Sequence, residues 1–135
     1  MYIQVNIGRN IGNTPMSDHQ WDTFRLAVSQ AICLSVRTDD YAPESGNELH
    51  RGVGYWQYRE EESAHISRYD ERGYDLVQLR NDLRGLANQF GQGNIALIVG
   101  SELIEADAEH HFVCGLYYTS GFLKSHSDFC NRYNR

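Results

Sequence analysis

The residues with the chemistry to grip a ligand fall into three groups. Gly8-Arg9-Asn10-Ile11-Gly12-Asn13-Thr14 joins a strand to a helix. A helix N-terminus attracts anions through unpaired amides, and Arg9 with Asn10 would add a guanidinium and an amide to that field. The spacing matches neither the dinucleotide fingerprint nor the P-loop, and Ser17 is placed to cap the helix itself, so the ordinary reading of this loop is a turn. The second group is aromatic and cationic: Tyr55, Trp56, Tyr58, Arg59, His65, Arg68 and Tyr69. On adjacent strands, alternate members share a face and offer π-surfaces with guanidinium, which suits a nucleotide-like ligand. Tyr, Trp and Arg are also what a dimer interface collects. The ligand-binding candidates are therefore Arg9, Asn10, Trp56, Tyr58, His65, Arg68 and Tyr69.

The third group is histidines and carboxylates. His65-Ile66-Ser67 is half of the paired His-x-Ser/Thr signature of two-histidine phosphoesterases, and His126-Ser127-Asp128 has the wrong spacing for the other half. Asp107, Glu109, His110, His111 and His126 lack the spacings of a zinc site, so no metal and no cofactor are expected. In Glu60-Glu61-Glu62, alternation lets only Glu60 and Glu62 converge for acid–base work, and a solvated turn is the simpler reading. Cys114 lies between apolar residues and reads as a small buried hydrophobe. No residue is assigned as catalytic.

Composition narrows the classes of function. The net charge of −6 argues against general binding to duplex nucleic acid, which needs an excess of Lys and Arg on one face. Lys124 is the only lysine, and most arginines are expected to pair with the acidic majority. No apolar run approaches the roughly 20 residues of a membrane span, and the first residues do not form a signal peptide, so a cytoplasmic protein is expected. Cys33, Cys114 and Cys130 make an odd count without C-x-x-C spacing, which fits reduced thiols.

The elements that must position these groups follow from periodicity. Tyr2–Ile7 alternates as a first strand. Ser17 and Gln20 form a capping box, Met16 and Trp21 a hydrophobic staple, and Trp21, Phe24, Val28, Ala31 and Ile32 line one face of a helix. Leu34–Arg37 reads as a short extended segment and 38–47 as loop. Strands are expected over 52–58 and 64–69, with the glutamates bordering their turn. Asp75 caps a second helix striped by Leu76, Leu79, Leu83, Leu86 and Phe90, Gly91 ends it, and 94–99 is an apolar strand for the middle of a sheet. Residues 112–118 supply a further extended segment. The order predicts an α+β, ferredoxin-like βαββαβ sandwich, two helices on one face of an antiparallel sheet. Residues 1–100 make this core and 101–135 a C-terminal extension packed on it or exchanged with it.

The Gly8–Gly12 loop, Met16-Ser17 with Trp21 and Phe24, and Phe90-Gly91-Gln92-Gly93-Asn94 resemble a family of small bacterial domains of unknown function. In that family a Ser-x-x-x-Trp-x-x-Phe helix follows a glycine loop, and Phe-Gly-Gln precedes the last strand. The resemblance spans residues 2 to 100 and extends in style to small accessory proteins of bacterial viruses; it implies the fold and no catalytic residue. The expectation is a non-enzymatic homo-oligomer, joined through its sheet, that binds a host protein or sequesters a small anionic, nucleotide-like ligand in an anti-defence role. The alternative is a small dimeric ferredoxin-like enzyme, such as a phosphoesterase, with His65, Arg68, Tyr58 and Glu62 around a sheet-face pocket.

Overall fold

A computed structural model describes residues 1–56, 59–100 and 116–118. The first strand, β1 (Tyr2–Gly8), buries Ile3, Val5 and Ile7 and turns Gln4 and Asn6 the other way, as its alternation predicts. A two-residue ribbon follows, β2 (Asn10–Ile11) against β3 (Thr14–Pro15), closed by Gly12 at φ 60°. Helix α1 (Asp18–Ser35) opens with the complete capping box: Gln20 N donates to Ser17 Oγ at 3.1 Å and Ser17 N to Gln20 Oε1 at 3.0 Å. Met16 and Trp21, the staple pair, are both buried in the core.

A short 3-10 turn at Glu44–Gly46 leads to β4 (Glu48–Trp56) and β5 (Arg59–Tyr69); α2 (Leu76–Gln89), β6 (Ala96–Gly100) and β7 (Leu116–Tyr118) complete the order. Asp75 caps α2 by accepting from Gln78 N at 3.0 Å, and Gly91 follows it at φ 66°. The sheet runs β4-β5-β1-β6-β7 with every neighbouring pair antiparallel. Two helices on one side of this sheet make the ferredoxin-like fold. Their shared core holds Trp21, Phe24, Val28, Ile32, Leu79, Leu83 and Ala87, and Phe24 stacks on Phe90 at 4.7 Å between centroids. The apolar β6 is interior because β7 pairs along Ala96–Ile98.

Three expectations are corrected. Leu34 and Ser35 belong to α1, which continues until Val36 makes a single bridge to Tyr74. Both β4 and β5 begin earlier than expected, at Glu48 and Arg59. The three glutamates consequently lie inside β5 rather than in a turn. Two of those charges are met across the strands, Glu62 by Arg9 and Arg51 and Glu61 by the amide of Asn10, so like charges in sequence need not seek water together.

Candidate functional site

Alternation divides β5 between the two sides of the sheet. Ala64, Ile66 and Arg68 face the helices, while Glu61, Ser63, His65, Ser67 and Tyr69 share the open face with Tyr2, Gln4, Asn6 and Gly8 of β1, their register partners. The open face is polar. Tyr2 donates its hydroxyl to Gln4 Oε1 at 3.0 Å, which leaves the amino end of Gln4 for Asn6 Oδ1 at 2.8 Å and His65 Nδ1 at 3.4 Å.

At the end of this face lies a cleft of about 370 Å³ between the Gly8–Gly12 loop and the Gly91–Asn94 loop. Asn6, Asn10, Glu61, Ser63, His65 and Gln92 supply its polar walls, and glycines 8, 12, 54, 91 and 93 much of its backbone surface. The loops are tied together where Gln92 Nε2 donates to the Asn10 carbonyl at 3.0 Å. Glu61 is the only formally charged residue among the described ones that line the cleft. Its Oε2 accepts from Asn10 N at 2.9 Å, and its carboxylate lies against Gly8, where a Cβ would stand 2.2 Å from Oε1. Glycine at position 8 is what lets the carboxylate lie flat over β1.

Glu62, one residue on, works on the opposite side. It accepts from Arg9 Nη1 at 2.8 Å, from Trp21 Nε1 at 3.2 Å and from Arg51, and these donors, Arg51 and Arg9 foremost, hold its carboxyl down to about 2. Arg9 also donates to the Met16 carbonyl at 2.8 Å and to Asp18 at 2.7 Å, and its own pKa rises through these carboxylates. This cluster fixes the glycine loop to β5 and to the start of α1.

The seven expected ligand residues are thus dispersed. Asn10 and His65 line the cleft; Tyr69 is exposed further along the open face. Arg9 is engaged by Glu62, Asp18 and a carbonyl. Arg68 is on the helix side, 6% exposed, and donates to Pro43 O at 2.7 Å, Asn47 Oδ1 at 3.0 Å and Asp70 Oδ2 at 3.2 Å. Trp56 closes β4 opposite Arg59, and Tyr58 lies outside the described residues. Of the suggested enzymatic set of His65, Arg68, Tyr58 and Glu62, His65 lies on the open face, Arg68 and Glu62 lie on the other side of β5, and Tyr58 is outside the described residues.

In the sequence Asn6 and Ser63 belong to no motif, and Glu61, Gln92 and Asn94 stand only within the glutamate run and the Phe90–Asn94 motif, with no ligand role expected of them. The signals were polar residues at alternate positions of β1 and the amides inside Phe90-Gly91-Gln92-Gly93-Asn94, which by themselves read as strand surface and turn. Asp107, Glu109, His110, His111, Cys114, His126 and Cys130 lie outside the described residues. Among the described residues no cluster of three metal-ligating side chains occurs, and no helix is long and apolar enough to cross a membrane.

No protein-family profile matches the sequence, and no curated protein matches it. Solved structures do. A phage SAM lyase in its apo state is similar over 92% of this chain and 91% of its own, at 16% identity and a TM-score of 0.54. The likeness is one of fold. A phage SAM lyase in complex with S-methyl-5'-thioadenosine covers 89% of this chain, and 88% of its own length, at 18% identity and a TM-score of 0.49.

Proposed function

We propose that the open-face cleft binds a sulfonium nucleoside of the S-adenosylmethionine class and that the protein breaks a carbon–sulfur bond of it in the manner of a lyase. The observation that carries this reading is the charge of the cleft. Glu61 is its one formally charged lining residue among those described, and amides, a hydroxyl and an imidazole surround it. Such a wall suits a ligand with fixed positive charge and a polar, uncharged sugar and base. An anionic nucleotide would meet Glu61, and among the described residues that line the cleft no guanidinium answers it, since Arg9 and Arg68 are engaged elsewhere. The anionic ligand expected from the arginine content therefore gives way to a cationic or neutral one.

The sulfonium sulfur leaves its carbon with the bonding pair as a neutral thioether while the ligand's own carboxylate oxygen attacks that carbon and closes a lactone, so the bond breaks without an acid to protonate the leaving group and without a base. Holding the ligand in a reactive geometry is then most of what the protein must do, and a site with a single carboxylate suffices. Likeness of fold to a phage SAM lyase supports the same class of ligand. Retention without turnover, the non-enzymatic reading of the sequence, uses the same cleft and differs in one measurement.

Titration calorimetry with S-adenosylmethionine should give saturable, one-site binding. Chromatography of the incubated mixture should show time-dependent loss of S-adenosylmethionine and growth of a thioether nucleoside above a protein-free control. Binding with the ligand intact would leave a sequestering protein. If neither S-adenosylmethionine nor adenosine binds, the cleft is not a nucleoside site.

A further inference from the structure

Among the described residues strand β4 has one neighbour, β5, and no described strand pairs with its other edge along nine residues. Open edges are usually blunted by lysine, proline or a bulge, because unpaired amides and carbonyls are templates for another strand. β4 has none of these: its sequence contains no Lys or Pro, and its register with β5 runs without interruption from Glu48↔Ser67 to Trp56↔Arg59. Arg51 is turned back onto Glu62. Leu49 and Val53 stand 48% and 62% exposed, and a groove of about 300 Å³ between α1 and β4, lined in part by Leu26, Leu49 and Ile66, continues the apolar surface.

Gly52, at the middle of the strand, gives an independent indication. No atom of the described residues lies within 4 Å of where its Cβ would be, and its φ is not left-handed, so neither the packing of the described residues nor the backbone asks for glycine there. Glycine in a strand interior often marks the close approach of another backbone.

We propose that two copies of this chain join β4 to β4, antiparallel, about a two-fold axis at Gly52. Centred there, all nine residues from Glu48 to Trp56 find a partner: Glu48 opposite Trp56, Leu49 opposite Tyr55, His50 opposite Gly54 and Arg51 opposite Val53. The exposed apolar residues Leu49 and Tyr55 meet. An axis at Arg51 would set that guanidinium against its own copy, and an axis at Val53 would carry Glu48 and Leu49 past the end of the strand. Charge favours this edge as well. Each chain carries −6, whereas β4 holds one glutamate and one arginine, so copies that repel overall can approach along it. The pairing extends the sheet across both copies and sets a second histidine, the partner's His50, opposite Gly54 at the rim of the cleft. It leaves the polar open face free, in contrast to the face-to-face contact expected from sequence.

Sedimentation of the full chain over a wide concentration range should show a dimer, and Val53→Lys should raise its dissociation constant about tenfold or more while circular dichroism stays unchanged. Gly52→Cys, oxidised in solution, should yield a disulfide between the two introduced thiols, located by peptide mass spectrometry to separate it from Cys33, Cys114 and Cys130. A monomer at every concentration overturns the proposal. So does an oligomer that persists in folded Val53→Lys, or one in which Gly52→Cys forms no cross-link. Should Val53→Lys fail to fold, the cross-link decides the matter alone.

Discussion

Adjacent residues Glu61 and Glu62 have different work because a strand sends them to opposite sides of the sheet. Glu62 is bound by two arginines and an indole and is structural. Glu61 keeps one backbone partner and faces the cleft. Glu61→Gln preserves an acceptor for the Asn10 amide and removes the charge. Its expected effect is a loss of about tenfold to a hundredfold in affinity for S-adenosylmethionine, with the melting temperature nearly unchanged, as calorimetry and thermal unfolding would show. Gly8→Ala tests the same carboxylate from beneath. The new methyl would stand 2.2 Å from Glu61 Oε1, so the carboxylate must swing away and affinity should fall with no charge removed. Unaltered affinity in both variants would place the ligand elsewhere.

At the scale of elements, two loops build the cleft and two helix ends hold the loops. Gly91 sits at φ 66°, and a Cβ there would lie 3.1 Å from Ile11 of the opposing loop. Gly91→Ala should cost about 1–2 kcal/mol in urea unfolding. It should also weaken ligand binding, because Gln92 reaches the Asn10 carbonyl from the next position. Ser17→Ala, which breaks the capping box of α1 away from the cleft, should cost about 1 kcal/mol and leave binding alone. Both helices and their caps were legible in the sequence, because caps are local hydrogen bonds and apolar stripes are local periodicities. The strand starts were not. The glutamates of β5 looked like a turn until Arg9 and Arg51, distant in sequence, supplied their partners.

For the whole molecule, acid is the informative perturbation. Glu62 is held at about 2 against 4.5 when free, so the folded state favours its ionised form. Its contribution is fully present above pH 4.5 and is lost as pH falls from there toward 2; for a partly exposed group this is on the order of 2 kcal/mol. Asp70, beneath Arg72 and Arg68, is also depressed and acts in the same direction. Urea midpoints measured from pH 6 down to pH 2 should decline through this window, and Glu62→Gln should flatten part of that decline. An acid limb of equal depth in Glu62→Gln would show that other groups control it.

The sequence by itself determined the α+β class, both helices with their N-terminal caps, the order of elements along the chain and the polarity of β1. These rest on neighbours three or four residues apart in a helix, or two apart in a strand. Only the tertiary structure decided which side of the sheet each charged residue serves. Arg9 and Arg68, expected at a ligand, are engaged in the fold by carboxylates and carbonyls from other elements. The Gly8–Gly12 and Phe90–Asn94 motifs, read as turns, became the two walls of one cleft because β1 and β6 are neighbours in the sheet. Contacts of that kind join positions about eighty residues apart, and no local pattern encodes them.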